Sequence, residues 1–121
     1  MKLSIGDIID RWSIAYLKHQ RANQDTSQEI NEYIDYCKEK YSQKDIKEYF
    51  NLLLKVNGDI WSLESDIRKG KEGELGLEEV GRRALQIRNF NGIRVKLKNE
   101  LNLKYNEGFQ EIKANHASQS N

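Results

Sequence analysis

Arg94 stands where an apolar side chain is due. Between Leu77 and Lys104 a seven-residue repeat runs Val80, Ile87, Arg94, Leu101, so a guanidinium falls in a hydrophobic seam. Asn91 lies three residues before it on the same side, and Lys98 four residues after it. In the preceding segment Asn57 and Glu64 are seven apart and flank the seam beside Val56, Ile60 and Leu63, while Asp10 belongs to a strongly apolar opening stretch. A guanidinium in a seam must be paired, because an isolated buried charge costs several kcal/mol. Two chemistries meet that need. In the first, Glu64 and Arg94 form a buried ion pair, Asn57 and Asn91 satisfy the leftover hydrogen bonds, and the group fixes helix register. In the second, Asp10, Asn57, Glu64, Asn91, Arg94 and Lys98 line a polar pocket for a small anionic ligand. There Arg94 and Lys98 would hold a phosphate or carboxylate, which a guanidinium fork matches, and Glu64 would orient Arg94 or act as a base.

Other templates fit less well. A di-iron bundle needs Glu-x-x-His pairs, but His19 and His116 follow Tyr16 and Lys113 at that spacing. Magnesium-dependent helical pyrophosphatases need clustered carboxylates. Asp7 with Asp10 and Glu29 with Glu32 have the i, i+3 spacing that shares a face. Asp7 and Glu29 are, however, already placed as capping residues, which leaves only an oxygen-rich cation site from Asp7, Asp10 and Glu64 to consider. Nothing in the sequence orients Cys37 with His19 for thiol chemistry. The glycine-rich GKEGELG of 70–76 lacks the Gly-x-x-x-x-Gly-Lys-Ser/Thr frame of a phosphate loop, and neighbouring glutamates would repel an anion. No catalytic residue, metal or cofactor is assigned.

These residues need helices to position them, and four are legible. The first spans about 4–23: Ser4 and Asp7 form a capping pair, and its apolar residues cover far more than one stripe, which predicts a central helix. The second spans about 27–41, with a capping box from Thr26 and Glu29 and a single stripe of Ile30, Tyr33, Ile34, Cys37 and Tyr41. The third, about 43–69, opens at Ser42 and Asp45. It repeats Ile46, Tyr49, Leu53, Val56, Ile60, Leu63 and Ile67 at alternating three- and four-residue steps, and it ends at Gly70 as a C-cap. The fourth spans about 77–104. Helices three and four have matching length and a short link, so they predict an antiparallel hairpin at the heart of an all-α, up-and-down bundle. Leu54 and Trp61 fall off the seam of helix three and must cover helix one or a partner. Residues 1–105 read as one domain and 106–121 as a weakly ordered tail, although Phe109 and Ile112 could dock.

Composition bounds the rest. The chain has 121 residues, 37% hydrophobic and 32% charged, enough for one core and too few for two. With no proline, nothing interrupts long helices. One cysteine and two histidines exclude an internal disulfide and a zinc cluster. No run approaches the roughly 18 apolar residues of a membrane span, and the N-terminus has acids where a signal peptide needs an apolar stretch, so the expected setting is the cytoplasm. Residues 77–121 carry a net charge of +3 within an overall +1. The basic fourth segment reads first as a solvated face and second as a surface for nucleic acid, a partner that the low overall charge argues against.

Three segments resemble a small all-helical domain family of bacteria and phages, itself of unknown function. SIGDIIDRWSIAYLKHQR is similar to that family's S-x-G-[DE]-[LI]-[LI]-D-[KR]-[LW]-[ST]-I-x-x-x-K opening. VNGDIWSLESDIR resembles its V-N-x-x-L-W-x-x-E-x-x-I-R segment, and NFNGIRVKLKNELN its N-x-x-R-x-x-L-K-x-x-I-N segment. The matches are in order and span 4–102. The family's polar positions fall on Asp10, Lys18, Asn57, Glu64, Arg68, Asn91, Arg94 and Lys98. Departures are Trp12, where leucine is usual, and a shorter apolar run around Ala15. The resemblance implies a setting among surface-polysaccharide genes, near glycosyltransferases, and brings no established activity, cofactor or catalytic residue with it. The expectation is a non-enzymatic helical interaction module that acts as an accessory protein and pairs with a second copy or another protein. A small-molecule site for a nucleotide-sugar or other anion is the alternative.

Overall fold

The computed structural model describes residues 3–67 and 76–108. They form four helices: α1 (Ile5–Arg21), α2 (Ser27–Cys37), α3 (Gln43–Asp66) and α4 (Leu77–Lys104). The expected C-cap at Gly70, Arg68 and the docking of Phe109 and Ile112 lie outside the described residues.

α1 is central. It packs against each of the other three helices, as a helix apolar on nearly all sides must. Ile5, Ile8 and Ile9 are fully buried and share the core with Tyr33, Cys37 and Tyr41 from the α2 side, Leu53 and Val56 of α3, and Leu101 of α4. The hairpin of α3 and α4 keeps a single antiparallel register from end to end. Asp45 pairs with Lys104 at 2.8 Å, Tyr49 with Glu100 at 3.3 Å and Asp66 with Arg83 at 2.7 Å. α1 runs antiparallel to α4, because Gly6 meets Asn102 and Asp10 meets Arg94. The end of the α2 stretch returns to the start of α1, since Tyr41 and the Ile5 N–H share the Glu107 carboxylate. The order is therefore up, down, up, down.

Helix ends follow local chemistry with two exceptions. Ser4 Oγ accepts from the Asp7 N–H at 3.3 Å and donates to Asp7 Oδ2 at 3.2 Å, a reciprocal cap. Ser42 Oγ accepts from the Asp45 N–H at 3.4 Å, but the Asp45 carboxylate turns to Lys104 and to the Tyr105 hydroxyl at 2.6 Å. The expected box at Thr26 and Glu29 does not form. Thr26 sits at the N-cap, yet its hydroxyl donates to the Ala15 carbonyl at 2.7 Å, and Glu29 accepts from the Tyr33 hydroxyl. A long-range anchor to α1 outcompetes the local cap. α2 also ends at Cys37, four residues before the expected Tyr41. Leaving the helix there lets Tyr41 set its ring edge-on to Tyr105, with centroids 4.9 Å apart.

Contacts with α1 continue just past residue 105. Glu107 Oε1 accepts from the Ile5 N–H at 2.9 Å, and its other oxygen accepts from Tyr41 at 2.7 Å. Residues 106–108 thus close the N-terminus of α1.

Candidate functional site

α1 and α4 approach so closely at Gly6 that a Cβ there would lie 2.6 Å from the Lys98 carbonyl oxygen. That contact brings the polar residues of both helices together one turn further along. Asp10 is buried and takes the Arg94 guanidinium as a fork: Nε donates to Oδ1 at 2.8 Å and Nη2 to Oδ2 at 2.7 Å. The carboxylate that receives Arg94 is therefore on α1. The hairpin register sets Glu64 level with Leu85, roughly 13 Å along the axis from Arg94 at 1.5 Å per residue, so the expected Glu64–Arg94 pair gives way to Asp10. Glu64 stays half-buried on α3, two turns beyond Asn57.

Asn57 enters from α3. Its Nδ2 donates to Asp10 Oδ1 and to Ser13 Oγ, both at 2.9 Å, and Ser13 Oγ donates to the Asp10 carbonyl at 2.7 Å. Asn91 Oδ1 accepts from Arg94 Nη1 at 3.4 Å. Lys98, buried one turn after Arg94, places Nζ 3.0 Å from Asp7 Oδ1 and 4.0 Å from Asp10 Oδ2. An ammonium thus lies between the two carboxylates considered as cation ligands. Among the described residues no group of three or more acidic, histidine or cysteine side chains is placed to hold a metal. Five of the six residues singled out in the sequence, Asp10, Asn57, Asn91, Arg94 and Lys98, converge on one network.

Burial works against the ionised Asp10. The hydrogen bonds from Arg94 and Asn57, with the charges of Arg94 and Lys98, outweigh that penalty and hold the carboxyl below its ordinary pKa. The network spans three helices and balances two carboxylates against two cations. No buried side-chain nitrogen or oxygen among the described residues lacks a hydrogen-bond partner. Arg94 keeps 31% of its side chain exposed, against 4% for Asp10, so the cluster reaches solvent through Arg94 and, on α1, through Asp7.

No family model, curated protein or solved structure matches this chain. No described helix is long and apolar enough to cross a membrane.

Sequence reasoning missed Ser13, Asp7 as the partner of Lys98, and Asn102. Ser13 is fully buried and links Asn57 to the α1 backbone. Its spacing of three from Asp10 was the available signal, since it puts both on one helix face. Asn102 Oδ1 accepts from the Gly6 N–H at 2.7 Å. Nothing local marks that role, because the residues are 96 apart in the chain.

Proposed function

We propose that this chain is a non-enzymatic helical interaction module in which the Asp10 cluster is architecture. The observation that carries the reading is the Arg94 fork on Asp10. A guanidinium bonded through Nε and Nη2 to a buried carboxylate is committed to holding α4 against α1. The amides and hydroxyl around it complete the hydrogen bonding of that carboxylate rather than face an open cavity. What remains for function is the outer surface. α4 leaves Leu77, Leu85, Ile93 and Leu103 exposed at 89, 57, 47 and 67% on a helix that already buries apolar residues on its inner side. The reading places partner recognition along this helix. The first partner to test is a second copy of the chain, and the resemblance suggests a place in surface-polysaccharide biology.

Two measurements test this. Light scattering at micromolar concentration should give a dimer; a monomer there removes self-association and sends the search to another partner. Thermal unfolding against nucleotides, nucleotide-sugars, phosphates and divalent metals should give no shift that depends on Arg94. A ligand at a hundred times its Kd would add about 2.7 kcal/mol, several degrees in a domain of this size. A shift that disappears in Arg94→Met would instead make the cluster a binding site for an anion. That second reading draws on the solvent-exposed edge of Arg94.

A further inference from the structure

A groove between the C-terminal half of α1 and the middle of α3 shares no residue with the Asp10 cluster. It has a volume of about 290 Å³, with Tyr16, Leu17 and Arg21 on one side and Asn51, Leu54 and Asp59 on the other. Leu54, off the seam of α3, lines the groove. Arg21 is fixed in place. Its Nη1 donates to the Gly58 carbonyl at 3.0 Å and to Ser62 Oγ at 3.4 Å. Gly58 permits this approach, since a Cβ there would stand 3.2 Å from Nη2. Both acceptors are neutral, and among the described residues no carboxylate pairs with Arg21.

The guanidinium is therefore anchored without being neutralised, and only part of its donor set is used. At the rim Lys55 and Asp59 pair with each other at 3.4 Å. Lys18 and Arg21 in the last turn outweigh the partial negative charge of the α1 C-terminus. Leu17 and Leu54 supply an apolar floor. Tyr16 supplies a fixed wall, its hydroxyl accepting from Gln20 at 2.9 Å and its ring standing edge-on to Phe50 at 5.8 Å. A volume near the lower end for small-molecule sites suits a compact ligand.

We propose that this groove binds a small organic anion, its carboxylate or phosphate held by Arg21 and its apolar body laid on Leu17, Leu54 and Tyr16. Titration of the full chain with benzoate and with phenyl phosphate, followed by amide and Arg Nε–H shifts in NMR, tests it. Saturable shifts at Tyr16, Arg21, Lys55 and Gly58 are expected, and the tighter probe identifies the head group. Benzamide and inorganic phosphate should bind more weakly, because each lacks one half of the recognised chemistry. Arg21→Met should lower affinity on the order of tenfold or more at a temperature where it is fully folded, its Tm falling with the loss of the bonds to Gly58 and Ser62. The absence of shifts at millimolar probe, shifts centred on Arg94 and Lys98, or equal binding by Arg21→Met would each overturn the proposal. If Arg21→Met fails to fold, the wild-type shift map decides alone.

Discussion

Asp10 illustrates how one carboxylate can order three helices. It is nearly fully buried, yet Arg94, Asn57 and Lys98 keep it ionised. Breaking such a pair from one side leaves a charge without its partner. Asp10→Asn should therefore cost about 3 kcal/mol, at the lower end for buried pairs because Arg94 reaches solvent. Urea unfolding with an unchanged m-value checks it. The pH dependence has a definite sign. The folded pKa lies below the unfolded value of about 3.9, so the contribution is complete above that value and lost as pH falls through the folded pKa. The urea midpoint of the wild type should drop steeply below about pH 4, and that of Asp10→Asn less steeply; parallel curves would show that Asp10 is not the group responsible. Cys37 makes the opposite case. Burial, aided by the Glu107 charge, pushes its thiol up to about 11, so the thiolate is scarce at pH 8. Alkylation of the native protein should be roughly two orders of magnitude slower than in urea.

Helix ends are where elements meet, and α1 shows it most fully. Its first turn is capped by Ser4 from its own chain segment, by Asn102 at Gly6 and by Glu107 at Ile5. Of these three otherwise unsatisfied N–H groups, two thus depend on residues about a hundred positions away. Glu107→Ala should cost about 1 kcal/mol and raise amide exchange at Ile5 more than elsewhere in α1. Gly6→Ala tests the helix contact. Alanine favours a helix by up to about 1 kcal/mol over glycine, but its Cβ would strike the Lys98 carbonyl. A net loss of about 2 kcal/mol is expected from overpacking, and a gain in Tm would show that α1 and α4 can separate at no cost. At the other end, Asn23 takes a left-handed φ of 54° and Gln24 N–H reaches back to the Lys18 carbonyl at 3.2 Å, so α1 stops there. α2 is the element least determined by its own residues. Thr26 is read locally as a capping partner of Glu29, and its hydroxyl instead ties α2 to α1.

For the whole molecule, register decides which polar groups meet. The hairpin pairs Asp45 with Lys104 and Asp66 with Arg83, and this fixed alignment carries Glu64 away from Arg94. α1 then fills the space beside the hairpin and offers Asp10 at the level of Arg94. A double-mutant cycle of Asp10→Asn and Arg94→Met should show strong coupling, with the pair losing less than the sum of the single losses. The corresponding cycle of Glu64→Gln and Arg94→Met should be close to additive, as for groups more than about 10 Å apart.

The four helices and the antiparallel hairpin were legible because periodicity, serine caps and the absence of proline act over a few turns of chain. Helix four needed nothing else: its limits, 77 to 104, are those of α4. Arg94 was legible as an anomaly for the same reason, since a repeat exposes whatever breaks it. Its partner was not. Repeat position gives the side of a helix on which a residue lies, but the level at which two helices face each other depends on their axial offset. That offset follows from the close approach at Gly6, the Asp45 and Asp66 pairs and the Glu107 cap, all made between residues distant in sequence. Tertiary packing also built the Arg21 groove, because only the crossing of α1 over Gly58 sets that guanidinium beside Leu54 and Tyr16.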